Sequence, residues 1–162
     1  MDSREIKLNL GCWNHFLDGW HHLDTADNFN KGITIWSWNQ PLPYPDNSVS
    51  KILIQHALMF CDKDKYQANL RECYRVLKPK GILLVKEDNN LCFIWRPIGT
   101  TKICGTVRST SNQNELRHML NGIGFHILDD DALSVLSKYG DIVNRHRKLR
   151  QGICYALEVQ KS

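Results

Sequence analysis

The sequence predicts an α/β domain organised around a mostly parallel sheet. Three observations carry this. Short apolar runs recur along the chain, stretches with apolar residues at helical spacing separate several of them, and one run, residues 82–86 (ILLVK), is apolar almost throughout. A strand covered on both faces of a parallel sheet reads that way, and strands alternating with helices favour parallel crossovers.

The elements follow in order. Residues 7–11 (KLNLG) form an apolar run stopped by glycine, as a buried strand would be. Residues 19–24 (GWHHLD) read as a second strand and residues 33–38 (ITIWSW), β-branched and aromatic, as a third. Three prolines and an Asp-Asn-Ser turn make residues 41–50 a loop before strand four at 51–56. A helix follows, with Asp62 or Asp64 as N-cap and Tyr66, Leu70, Cys73, Tyr74 and Leu77 on one face. It ends at Lys78-Pro79-Lys80-Gly81, ahead of strand five at 82–86. A second helix starts near Ser111 or Asn112 and stops around Gly122 and Gly124. Residues 125–128 and 153–159 are the last two strands.

The 162 residues suit a single domain spanning 1–162, with neither repeat nor linker to divide it. Apolar residues at 42% and charged residues at 23% exclude a disordered chain. A formal charge of +4 is too mild to argue for nucleic acid by itself. Apolar runs fall short of the roughly 18 residues a membrane span needs, and residues 1–7 are charged where a signal peptide would be apolar. None of the six cysteines forms a C-x-x-C pair, so reduced thiols in a cytoplasmic protein are expected. Cys12, His15, His21 and His22 match no standard zinc spacing, and no metal site is expected.

Gly11 and Asp24 lie 13 positions apart. A dinucleotide-binding unit sets its acid about 20 residues beyond the glycines and uses the intervening helix for pyrophosphate. The shorter gap leaves no room for that helix, which disfavours NAD.

Leu8-Asn9-Leu10-Gly11-Cys12 and Gly19 to Asp24, then Pro43-Tyr44-Pro45-Asp46-Asn47-Ser48-Val49 and the run from Leu70 through Arg75-Val76-Leu77-Lys78-Pro79 to Gly81, together resemble class I S-adenosylmethionine-dependent methyltransferases, the methyltransferase type 11 group above all. The resemblance implies a Rossmann-like fold: a mostly parallel seven-stranded sheet with an antiparallel last strand, compact here and lacking some helices. It implies S-adenosyl-L-methionine as cofactor. On the matching positions, Leu10, Gly11, Cys12 and Trp13 would flank the methionine end, Asp24 would accept the ribose hydroxyls, Trp38 and Asn39 would lie near adenine, and Gln55 would sit at the rim. Trp13 stands where the family has a second glycine, and either caps the cofactor or fills the pocket. Trp36 and Trp38 are read as pointing to opposite faces of strand three, one toward adenine and one into the core. His56 is the candidate general base.

Methyl transfer from a sulfonium needs mainly an aligned nucleophile and exclusion of water, so an obvious catalytic residue is not required. The expected activity is methylation of a small molecule or a sugar-like acceptor, at a site that is open, or is closed by a partner subunit, a second copy or a large substrate, with no membrane involved. Trp13, Met59 and Phe60 motivate an alternative, a catalytically degenerate binding or partner protein. Residues 87–90 read as a solvated turn or as acids facing a cationic substrate. The basic stretch at 139–150 reads as a solvated face, an anion site or a nucleic-acid contact.

Overall fold

The computed structural model describes residues 5–38, 40–61, 65–88, 102–103, 106–107, 112–140, 142 and 154–162. In chain order the strands and helices are β1 (Ile6–Leu10), β2 (His21–Asp24), β3 (Thr34–Ile35), β4 (Val49–Gln55), α1 (Tyr66–Val76), β5 (Leu77–Asp88), β6 (Lys102–Ile103), β7 (Thr106–Val107), α2 (Gln113–Ile123), β8 (Phe125–Asp129), α3 (Ala132–Tyr139) and β9 (Cys154–Lys161). A 3-10 turn, Leu58–Phe60, follows β4.

Seven strands form one sheet in the order β3-β2-β1-β4-β5-β9-β8, and β6 pairs with β7 apart from it. The pairs from β3 to β5 are parallel, while β9 runs antiparallel to both β5 and β8. The expected mostly parallel sheet with a reversed last strand is therefore present. Leu10 pairs with Leu23 on one side and Ile54 on the other, and Gln55 pairs with Lys86, so β1, β2, β4 and β5 end at one rim.

One face of the sheet carries Leu8, Leu10, Leu23, Ile52, Ile54, Leu83 and Val85 in a core with residues of α1 and α2. On the other, Leu53 and Leu84 pack with Leu17, Trp20, Leu136 and Tyr139. Parallel strands are usually joined through a helix. Here residues 11–20 and 25–33 join β1, β2 and β3 as irregular loops. Side chains hold the first of them down. Asn9, 1% exposed, donates Nδ2–H to the His15 carbonyl at 2.7 Å; the Leu17 N–H donates to His22 Nε2 at 2.8 Å; and His15 Nε2 meets the Ile142 carbonyl at 2.6 Å.

The stretch between β3 and β4 caps the α1 face with two indoles. Trp36 and Trp38 are both buried, and their rings meet edge to face with centroids 4.9 Å apart. Both belong to one core, so the expectation that they face opposite ways is incorrect. Residues two apart in extended chain return to the same side, and β3 covers only Thr34–Ile35, short of both tryptophans. Arg75 ties this cap to α1. Its guanidinium donates to the carbonyls of Leu42 and Tyr44 and to Asp46 and Glu72, while Glu72 accepts the Leu42 N–H.

The end of α1 shows why the chain turns there. A helix leaves its last carbonyls without partners. The Arg75 and Val76 carbonyls accept the N–H groups of Asn47 and Ser48, and Lys161 Nζ donates to the Tyr74 and Leu77 carbonyls at 2.7 and 2.9 Å. Residues 78–81 then bulge out of β5, with Lys80 at φ +64° between the Val49–Leu77 and Lys51–Ile82 pairs.

Other elements differ from expectation in extent. Lys65 holds the N-cap position of α1, and Asp62 and Asp64 lie outside the described residues. α2 starts at the expected Asn112, whose side chain accepts the Glu115 N–H, and closes on left-handed Gly124. α3 is not foreseen; Asp131 caps it by accepting the N–H groups of Leu133 and Ser134.

Candidate functional site

The candidate residues near the start of the chain converge where β1 and β2 end. Leu10 is fully buried as the last residue of β1. Gly11 turns the backbone to φ +67° and donates its N–H to the Leu23 carbonyl at 2.8 Å. A Cβ at this glycine would collide with the Ala57 Cβ, so the position requires glycine through both its φ and its packing. Cys12 is buried, and burial, reinforced by Asp24, pushes its thiol up to about 11.

Trp13 also adopts a left-handed conformation, φ +46°, unusual for a bulky residue. Its N–H donates to Asp24 Oδ2 at 2.8 Å, and Asp24 Oδ1 accepts the Thr25 N–H at 2.7 Å. Trp13 is 61% exposed, and its ring leans edge-on against Phe29, centroids 5.7 Å apart. Phe29 contacts Phe16, and Phe16 contacts His22, so four rings run in series beside the loop. The Phe29 end is set by Asp27, whose carboxylate accepts the N–H groups of Lys31 and Gly32; those bonds hold its pKa below the usual carboxylate range.

Gln55 ends β4 and His56 follows at φ +51°, its N–H on the Lys86 carbonyl at 2.8 Å. They adjoin the Gly11 loop through Ala57. Trp38 stands apart from this group, since its ring is in the core against Trp36, and Asn39 lies outside the described residues. Met59 and Phe60 fall in the 3-10 turn, with Phe60 exposed. His15, His21 and His22 turn to separate partners: the Ile142 carbonyl, the Tyr44 hydroxyl and the Leu17 N–H. Most of the basic stretch, residues 143–150, lies outside the described residues.

Glu87 is the residue that sequence reasoning misplaced. It belongs to β5 opposite Tyr155, is 3% exposed, and accepts the N–H groups of Ala57 and Leu58 on Oε1 at 2.9 Å each. It is neither in a solvated turn nor at an open surface. The apolar run before it marked the strand, but the turn it caps comes from 30 residues earlier, a pairing that local sequence does not carry.

The sheet order, parallel but for β9, is the Rossmann-like fold that this chain shares with S-adenosylmethionine-dependent methyltransferases of solved structure. Residues 24–85 match the family model for a methyltransferase domain, a stretch that begins at Asp24 and leaves the Gly11 loop outside. No curated protein matches the chain. Among solved structures, a SAM-dependent methyltransferase from Methanosarcina mazei is similar at TM-score 0.70 and 16% identity, over 99% of this chain and 94% of that one. An S-adenosylmethionine-dependent methyltransferase from Mesorhizobium loti is similar at TM-score 0.65 and 13% identity, over 99% and 94%. A chain of the Haloferax volcanii complex containing the Trm112 methyltransferase activator is similar at TM-score 0.66 and 15% identity, over 97% and 82%. At such identities the likeness is one of fold, and function rests on the site.

Proposed function

We propose that this single domain transfers a methyl group from S-adenosyl-L-methionine to a small-molecule acceptor. The observation that carries the reading is the joint between the glycine loop and Asp24: the carboxylate reaches the loop at the rim, and the Trp13 ring is turned into solvent rather than into the loop.

The residues fit the cofactor's chemistry. A carboxylate offers acceptor oxygens suited to a pair of ribose hydroxyls, and Asp24 stands at the end of β2 for that role. Leu10, Gly11, Cys12 and Trp13 would border the methionine end and Gln55 the rim, while the Trp38 ring, packed in the core against Trp36, takes no part. S-adenosylmethionine supplies a methyl group on a cationic sulfonium. The chain's own task is to hold the acceptor behind that carbon and keep water out, which contributes up to several kcal/mol. With its pKa raised to about 11, the Cys12 thiol stays protonated near neutral pH and does not compete as a nucleophile. His56 is the candidate base for an acceptor that must lose a proton.

A partner subunit or second copy fits this reading, because Trp13, Phe29 and Ile35 leave large apolar side chains exposed and one structural neighbour comes from an activator complex. Among the described residues no helix is long and apolar enough to cross a membrane. The reduced thiols of Cys12 and Cys73 support a cytoplasmic setting.

One observation favours a second reading, a degenerate binding or partner protein. Both Asp24 oxygens already accept hydrogen bonds from the protein itself. Calorimetry with S-adenosylmethionine and S-adenosylhomocysteine tests the first reading. Saturable binding of both is expected, and no heat at millimolar ligand rejects it. Binding without turnover across a panel of amine, hydroxyl and thiol acceptors selects the second.

A further inference from the structure

Glu87 is a buried carboxylate with no part in the chemistry above. Burying such a group is unfavourable unless it is hydrogen-bonded, and its Oε1 receives two backbone donors. Those donors, the N–H groups of Ala57 and Leu58, open the 3-10 turn Leu58–Phe60, where a helical turn leaves N–H groups without internal partners. No side chain of the N-cap residue, Ala57, supplies that cap. Glu87 supplies it from the far side of β4.

The consequence passes through Ala57. Its methyl occupies the space a side chain on Gly11 would take. Gly11 in turn is hydrogen-bonded to the Leu23 carbonyl, and two residues later the Trp13 N–H meets Asp24. A continuous series of contacts therefore runs from the end of β5 to the loop and carboxylate assigned to the cofactor.

We infer that Glu87 is a positioning residue: by capping the turn after β4 it presses Ala57 against Gly11 and fixes the loop that faces the cofactor. The inference rests on the proposed function for its ligand, but its structural half does not.

Two measurements test it. Amide hydrogen exchange on the unliganded protein compares wild type with Glu87→Ala and Glu87→Gln. Glu87→Ala is expected to speed exchange at residues 11–13 at least tenfold while the amides of β4 and β5 keep their protection, and Glu87→Gln, which retains an acceptor oxygen, to recover most of it. A uniform acceleration would mean general destabilisation only and overturn the inference, as would no change in the loop. Calorimetry with S-adenosylhomocysteine then reads Glu87→Ala, Ala57→Gly and the double variant. About tenfold weaker binding in each single variant, with the double no weaker than the worse single, is expected for one shared path. Multiplying losses, or unchanged affinity in folded Glu87→Ala, overturn it. Should Glu87→Ala not fold, Ala57→Gly alone decides, in exchange and in affinity. Absence of binding by wild type rejects the cofactor reading and leaves the exchange experiment to judge the loop.

Discussion

The Trp13 backbone and the Asp24 side chain hold each other: the N–H of one donates to Oδ2 of the other at 2.8 Å, while the indole stays outside against Phe29. Asp24 thus fixes the turn of the loop, and under the proposed function a change there acts on ligand and loop together.

Asp24→Ala is expected to weaken S-adenosylhomocysteine binding by about 2–4 kcal/mol, the worth of charge-assisted hydrogen bonds to a carboxylate. Calorimetry measures it. Equal affinity in the variant would put the ribose elsewhere. Asp24→Asn keeps an acceptor oxygen for the Trp13 N–H, and its thermal stability should lie nearer wild type.

Gly11→Ala should be strongly destabilising. A left-handed backbone costs a residue with a Cβ about 1–2 kcal/mol, and the added methyl collides with Ala57. Gly11→Ala combined with Ala57→Gly removes the collision and keeps the backbone cost. Urea unfolding should therefore place the double variant between Gly11→Ala and wild type. A double variant no more stable than Gly11→Ala would show that packing against Ala57 is not the constraint.

His22 gives the loop a dependence on pH. Burial, with His15 and His21 adding to it, holds its pKa below the ordinary 6.5, and Nε2 accepts the Leu17 N–H only when unprotonated. The unfolded chain therefore binds the proton more readily than the folded one. The contribution is complete above the unfolded pKa and is lost as pH falls through the lowered folded value. Melting curves between pH 7.5 and 5 should fall more steeply for wild type than for His22→Gln; parallel slopes would count against this role.

Arg75 carries the loop before β4. Arg75→Ala should lower stability by about 1–3 kcal/mol, because the Leu42 and Tyr44 carbonyls and the Glu72 carboxylate lose their shared donor. Arg75→Lys should recover only part of it, since an ammonium lacks the planar fork that serves several acceptors at once. Chemical denaturation of the three proteins orders them, and a lysine variant equal to wild type would remove the fork from the explanation.

Much of the sheet was legible because its strands are apolar runs ended by Gly11, Asp24 and Gln55, and periodicity reports burial directly. α3 was not read, although Asp131 as N-cap and Val135, Leu136 and Tyr139 at helical spacing carried its signal; its eight residues are too few to stand out between two strands. The tryptophans at 36 and 38 share one side because extended chain returns to the same face every second residue, which runs against the expectation of opposite faces whatever the length of the strand. The loop and Asp24 were visible as motif positions. Glu87 was not, because its neighbours Ala57 and Leu58 are distant in sequence and only the β4–β5 pairing brings them near.

β9 comes late in the sequence yet lies between β5 and β8, and its Lys161 completes the end of α1. Such long-range contacts make folding slow, because the entropy of closing large loops is lost before the contacts that reward it have formed. Until β9 inserts, β5 and β8 each lack a neighbour, and an open strand edge invites pairing with other chains. Refolding yield should therefore depend on protein concentration more sharply than native stability does, with insertion of this one strand as the step that decides between native protein and aggregate.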